Sequence, residues 1–263
     1  MKPPVFNPAW PADVQALYRH DMQEIWDRSI APQIWHQYHN QLDVYRDLTL
    51  GRGKLDILDV GCAQGTLALK LAELGHTVCA MDIRQQFLEY AASRHESGDV
   101  RFVCANAMES ALTDRFDLVF ANQIIEHLVY PLKLVSRLAA RLKSGGRLVV
   151  TTPNGAYLKN DLPSFKQIGD PSQHEQLQFT ADADGHFFAY TADELVEIFT
   201  EAGMRDIRIS YFETPWISGH MKFRHLQPLM PEGLLRPLDR FTLGLPALGK
   251  RLAHQILIVG EAA

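Results

Sequence analysis

Through the middle of the chain, short apolar runs alternate with leucines at helical spacing. Ile57 and Leu58 lead into Asp59-Val60-Gly61, and Leu67, Leu71 and Leu74 then recur on one helix face. The alternation continues downstream. Stretches 76–82, 100–104, 116–121, 147–152, 207–212 and 255–259 read as further strands, and 84–95 and 130–142 as helices. The run 116–121 is almost wholly apolar, as suits a parallel strand covered on both faces. Lys143-Ser144-Gly145-Gly146 predicts a glycine stop for the helix at 130–142. Thr191 and Glu194 form a capping-box pattern, opening a helix that ends at Gly203. Two further helical patterns occupy 9–50, with Pro32 near the start of the second.

The turn Gly61-Cys62-Ala63-Gln64-Gly65 joins the first strand to its helix. Glycines there let backbone approach a ligand closely, and the new helix directs unpaired N–H groups and its positive dipole end at it. A dinucleotide fingerprint wants glycine at the first, third and sixth positions, but these read Gly61, Ala63 and Thr66. A nicotinamide-dependent oxidoreductase is therefore disfavoured. Asp59 would repel a pyrophosphate at the strand's end, yet suits an ammonium group. A nucleoside with an amino acid head fits better, and S-adenosylmethionine is such a ligand.

On these residues the chain resembles the class I S-adenosylmethionine-dependent methyltransferases. Their first motif, acidic-x-Gly-x-Gly-x-Gly, is matched by Asp59-x-Gly61-x-Ala63-x-Gly65, with alanine at the middle glycine. The later order of strand, Gly145-Gly146, strand and Thr152-Pro153-Asn154 matches as well. The resemblance implies a Rossmann-like α/β fold: a seven-stranded, mostly parallel sheet with an antiparallel last strand, beside strand six. It assigns Asp59, Gly61, Cys62, Ala63 and Gly65 to the cofactor loop; Asp82 can accept both hydroxyls of a ribose, and Ile83 beside it is a further cofactor-binding candidate. Asp82 also reads as a cap for the helix that follows. Asn106, Ala107 and Met108 fall where relatives hold the adenine, Asn106 by its amide oxygen and Met108 by packing or as core filling. Asn122 and Gln123 begin the loop that faces the transferred methyl in relatives. N-terminal helices cover the cofactor in that family, which singles out Tyr18, His20 and His39, although packing accounts for most rings there.

For an oxygen acceptor, a proton must leave, and histidine is the residue suited to take it. His127 and His186 are the candidate catalytic bases, with Glu126 beside them. Gln123, Glu126 and His127 stand at i, i+3 and i+4, a spacing that places them on one face of a helical turn. Ubiquinone-pathway and small-RNA methyltransferases carry Glu-x-x-Glu-His here with a later histidine, binding a divalent metal. This chain has Gln123 at the first carboxylate, and an amide adds no charge. No metal ligand is therefore assigned, and a divalent metal is not favoured; purely structural histidines are the remaining alternative.

Composition narrows the partners. The 263 residues carry a net charge of −5, which argues against a nucleic-acid surface. Cys62, Cys79 and Cys104 lie on or beside expected buried strands without metal spacing and read as reduced packing residues. No run approaches the ~18 apolar residues of a membrane span, and residues 1–4 lack a signal-peptide core. A cytoplasmic protein without stable membrane insertion is expected. Residues 155–190, polar and aperiodic, read as an active-site insertion. Residues 219–253 hold six Lys or Arg against two acids, with Pro228, Pro231, Pro237 and Pro246 cutting them into short helices. They read as a substrate-covering cap. A basic surface for a membrane or an anionic lipid-linked substrate, plain packing, and a homodimer contact are the alternatives.

The expected organisation is a helical cover (1–52), a cofactor-binding core (53–212 and 254–263) and a cap insertion (213–253). The expected reaction is methyl transfer to a small molecule at a hydroxyl oxygen, with S-adenosylhomocysteine as product. Methylation of a sugar or lipid-linked glycan, and a cofactor-binding protein without turnover, are the alternatives.

Overall fold

The computed structural model describes residues 1–178 and 186–262. Seven strands form among them: β1 (Asp56–Val60), β2 (Thr77–Asp82), β3 (Asp99–Cys104), β4 (Phe116–Asn122), β5 (Leu142–Pro153), β6 (Arg205–Phe212) and β7 (Gln255–Glu261). They make one sheet in the order β3-β2-β1-β4-β5-β7-β6. β1, β2 and β3 pair in parallel, while β7 runs antiparallel to both β5 and β6. The Rossmann-like expectation, including the antiparallel last strand beside strand six, is met. Contacts gather the chain into two compact units, Met1–Val119 and Phe120–Ala263.

In the first unit, Ile57, Leu58 and Val60 of β1 and Val78, Ala80 and Met81 of β2 are buried. Burial of each larger aliphatic side chain contributes about 1.5–3 kcal/mol. Helices α3 (Thr66–Glu73) and α4 (Gln85–Ser93) follow β1 and β2. Strand order turns back at β1, and in open sheets of this kind ligands bind beyond the carboxyl ends of strands at such a point. β3 lies at the edge and alternates exposed with half-buried positions. Cys62 and Cys79 are buried as expected, but Cys104 is exposed, because an edge strand has a neighbour on one side only.

Ahead of the sheet, α1 (Ala12–Asp21) runs into a π-helical turn over Met22–Trp26, and α2 (Pro32–Asp47) opens with Pro32 in its first turn. The π turn closes with Asp27 N–H on the Met22 carbonyl at 2.7 Å. Such wide turns commonly mark functional segments.

In the second unit, α5 (Pro131–Ala139) ends earlier than the glycine pair suggested. Leu142 is buried, and β5 begins there, so Lys143 to Gly146 extend the strand instead of stopping the helix. Gly145, at φ 71°, bends that strand. The capping box of α6 (Ala192–Glu201) forms as read: Thr191 N–H and Oγ1 donate to Glu194 Oε2 at 2.8 and 2.9 Å. Beyond β6 come α7 (Pro215–Ser218), 3₁₀ turns at Phe223–His225 and Gln227–Leu229, α8 (Glu232–Leu243) and α9 (Leu248–Leu252). Pro237 does not cut this segment as expected but lies inside α8. The helix carries it by giving up one backbone hydrogen bond, while its inner face is held elsewhere: Asp239 Oδ1 accepts from Thr214 N–H and Oγ1 at 2.7 and 2.8 Å.

Candidate active site

The turn after β1 alternates left-handed residues, Gly61 at φ 66°, Ala63 at 45° and Gly65 at 75°. A left-handed alanine costs about 1 kcal/mol, and its N–H donates to Asp82 Oδ2 at 3.0 Å. Gly65 has two reasons to lack a side chain. Besides its φ, a Cβ there would stand 2.6 Å from the Ala91 Cβ of α4. The loop is thereby held against α4, with Gly65 as N-cap of α3.

Two carboxylates end the first two strands. Asp59 is buried, and its pKa is raised to about 7 by burial first and by Asp82 second, against a backbone N–H from Ala68. Among the described residues no cationic side chain pairs with it. Asp82, also buried, accepts from Ala63 N–H and, on Oδ1, from Arg84 N–H and Nε at 3.0 and 3.2 Å. It thus joins the glycine turn to the start of α4, whose N-cap residue is Arg84. Burial and these two acids push the Cys62 thiol far up, leaving it a packing residue. Ile83 is 55% exposed at the end of β2. Ala105 N–H donates to the Asp82 carbonyl at 3.0 Å, which brings the turn containing Asn106, Ala107 and Met108 beside Asp82. The Asn106 amide oxygen accepts from Met108 N–H at 3.0 Å, so one of its lone pairs is already used.

Residues of the N-terminal helices reach this loop, but not those singled out from the sequence. Gln64 Nε2 donates to Glu24 Oε2 at 2.6 Å and to the Tyr38 hydroxyl at 3.1 Å. Burial chiefly, then Asp21, raises the Glu24 pKa to about 8. Tyr18 instead packs against Phe6 and Trp10, His20 meets Gln23, and His39 stacks on Trp35 at 3.9 Å. Behind the loop, fully buried Arg94 donates to the Gln64 carbonyl at 2.6 Å and Thr66 Oγ1 at 3.1 Å, and faces Asp21 Oδ1 at 2.9 Å. No sequence spacing signals this ion pair.

In the second unit, Asn122 closes β4 and accepts from Thr151 Oγ1 at 3.1 Å. Gln123 adopts φ 52°, and its Nε2 donates to Thr151 Oγ1 at 3.2 Å and Gln255 Oε1 at 2.9 Å. The helical turn spans only Ile125–His127. Gln123 therefore does not share a helical face with Glu126 and His127, because its left-handed backbone lies outside the turn.

Glu126, His127 and His186 do come together, with one ligand atom from each lying within 4.8 Å of the others. The His127 and His186 rings meet edge to face at 4.8 Å. His186 reaches this place because residues after it return beside the end of β5, with bridges Asn154 to Tyr190 and Ser164 to Ala189. Gly155 permits that approach: a Cβ there would stand 2.8 Å from the Tyr190 carbonyl oxygen. Glu126 is buried, and neither carboxylate oxygen has a hydrogen bond of normal geometry; nor does Thr152 Oγ1. Burial raises its pKa to about 8, opposed only weakly by its own backbone and the nearby Thr152 hydroxyl. At neutral pH the group is a protonated acid beside two imidazoles.

A second aromatic group went unread in the sequence. His254 and His220 meet at 4.2 Å, and Tyr157 lies 5.4 and 5.9 Å from them. Burial foremost, then His220 and His186, lowers the His254 pKa to about 4, so it is neutral. The buried Tyr157 hydroxyl has no partner. Three separated segments supply these residues, which is why no local motif announces them.

Among curated relatives, the ubiquinone biosynthesis O-methyltransferase of Bradyrhizobium diazoefficiens is 36% identical over 106 residues, 39% of this chain and 41% of the relative. The mitochondrial one of Schizosaccharomyces pombe is 32% identical over 116 residues, 42% of each. The match thus spans about two fifths of these relatives' length. Among solved structures, the magnesium protoporphyrin IX methyltransferase of Synechocystis with bound S-adenosylhomocysteine is similar in fold. Its TM-score is 0.60 at 14% identity, covering 96% of this chain and 95% of that one. With its glycine turn, its two strand-end carboxylates and a family match over residues 18–209, the chain belongs to the methyltransferase domain family, within the class I S-adenosylmethionine-dependent methyltransferases.

Proposed function

We propose that the protein transfers a methyl group from S-adenosylmethionine to a hydroxyl oxygen of a small molecule. The observation that carries this reading is Asp59: a buried carboxylate without a cationic partner, ending β1 beside a turn of left-handed residues. An ammonium group would restore its charge, and the donor set fits a cofactor with an amino acid head. Asp82 holds the ribose hydroxyls, and exposed Ile83 with half-buried Met108 offers apolar surface to the adenine. Once bound, S-adenosylmethionine supplies a methyl group on a sulfonium sulfur. The protein's share is alignment, exclusion of water and removal of a proton. His127 or His186 takes the acceptor's hydroxyl proton, with the neutral Glu126 carboxyl beside the pair. On this reading residues 1–52 serve as cover, 53–212 and 254–263 as core, and 213–253 as cap. The named O-methyltransferase relatives support oxygen as the acceptor atom.

The test is calorimetry with S-adenosylhomocysteine, followed by methyl release from labelled cofactor to a panel of hydroxylated compounds. Asp82→Ala should weaken binding about 10- to 100-fold, the loss of charge-assisted hydrogen bonds. Unchanged affinity removes the ribose assignment, and binding without turnover on any acceptor favours a non-catalytic binder. The convergence of Glu126, His127 and His186 supports a second reading, a divalent cation held by these three. Activity that survives EDTA keeps the metal-free base; loss restored by Mg²⁺ or Zn²⁺ selects the cation.

A further inference from the structure

Of the fifteen large apolar side chains exposed among the described residues, six fall between Met221 and Leu248, about a tenth of the chain. Leu229 is 80% exposed and Phe241 69%. On α8 the pattern is ordered. Leu235, Asp239 and Thr242 turn inward, while Leu234, Pro237 and Phe241, at i, i+3 and i+7, form an outward apolar stripe. Exposed Arg236 and Arg240, at i and i+4, run along its edge. Before α8, exposed Lys222 and Arg224 alternate with Met221 and Leu226 in the same way. Asp239 turns its carboxylate inward to Thr214 and does not offset this charge. A basic, apolar face therefore stands on a chain whose net charge is −5.

The fully buried core of a protein interface is depleted of charged residues. Here basic and apolar side chains interleave between Met221 and Leu226 and again along α8. That arrangement fits a bilayer surface, where apolar side chains enter the headgroup boundary and Lys or Arg meets lipid phosphate. No helix among the described residues is long and apolar enough to cross a membrane, so attachment would be peripheral. We propose that the outer face of residues 221–248 docks on a bilayer containing anionic lipid. Leu229, Leu234 and Phe241 enter the headgroup region, and Arg224, Arg236 and Arg240 contact phosphates.

Sedimentation of the full chain with vesicles tests this, using phosphatidylcholine alone or mixed with phosphatidylglycerol. Binding is expected to the mixed vesicles, to weaken as salt rises, and to be slight with phosphatidylcholine alone. Arg236→Gln with Arg240→Gln should weaken it roughly 30-fold, about fivefold per charge. Leu229→Ser with Phe241→Ser should abolish it, while thermal midpoint and S-adenosylhomocysteine affinity stay unchanged. Protein left in the supernatant with both vesicle types overturns the proposal. So does binding indifferent to lipid charge, salt and all four substitutions. A dimer in analytical ultracentrifugation that Phe241→Ser dissolves would give this face to a second copy and equally overturn it.

Discussion

Asp21 in the first unit and Glu126 in the second are both buried carboxyls, and their surroundings differ completely. Asp21 Oδ1 faces the Arg94 guanidinium at 2.9 Å, an ion pair without hydrogen-bond alignment, while Oδ2 accepts from the Tyr90 hydroxyl at 2.7 Å and Trp26 Nε1 at 3.1 Å. Glu126 has two histidines nearby and no hydrogen bond on either oxygen. Native interiors rarely leave such groups unpaired, because desolvation costs about 1–3 kcal/mol per group. A compensated buried charge ties elements together: here the π turn after α1, the end of α4 and the glycine turn after β1. A buried carboxyl without such compensation keeps its proton instead, as Glu126 does.

The contrast can be broken most severely at Arg94. Arg94→Met leaves Asp21 buried and unpaired, and denaturant unfolding at neutral pH should show a loss of about 3–5 kcal/mol. A change below 1 kcal/mol would mean the pair is dispensable. In the second unit the large effect should fall on chemistry. His127→Ala should cut turnover about 10²- to 10⁴-fold with S-adenosylhomocysteine affinity unchanged, as for loss of a general base. Full activity would clear it of that role.

Glu24 sharpens the comparison through pH. Its folded pKa of about 8 lies above its ordinary value of 4.5, so the folded state holds a proton that the unfolded state releases. Stability from this group is complete below about pH 4.5 and is lost as pH rises toward about 8. Glu24→Gln should therefore flatten the thermal midpoint against pH and recover roughly 3–5 kcal/mol near the alkaline end. An unaltered slope would show that Glu24 does not titrate there. The smallest effect is expected at Glu126. Below about pH 4.5, where Glu126 is protonated in the folded and unfolded states alike, Glu126→Gln should shift stability by less than about 1 kcal/mol, while turnover at neutral pH falls. A large destabilisation would place Glu126 with the architectural acids instead.

Much of the scaffold could be read from neighbours in sequence. The glycine turn, the capping box at Thr191 and Glu194, and the apolar strands each arise from residues within a few positions of one another. Departures from these local signals are local as well, as at Pro237 inside α8. The glycine pair at Gly145 and Gly146 suggests a helix stop because glycine both ends helices and occurs within strands. Spacing alone puts Gln123 on a helical face, because it does not reveal a left-handed φ.

The sequence by itself determined the family, the order of strands and helices and the carboxylates that end the first two strands. Those features follow from short-range backbone preference and from the period at which apolar side chains recur. Only the tertiary structure decided that Arg94 meets Asp21, that Glu24 and Tyr38 rather than Tyr18 or His39 reach the glycine turn, and that His186 joins Glu126 and His127. Such meetings join residues far apart along the chain, and burial, which sets whether a carboxyl is charged, is a property of the assembled fold.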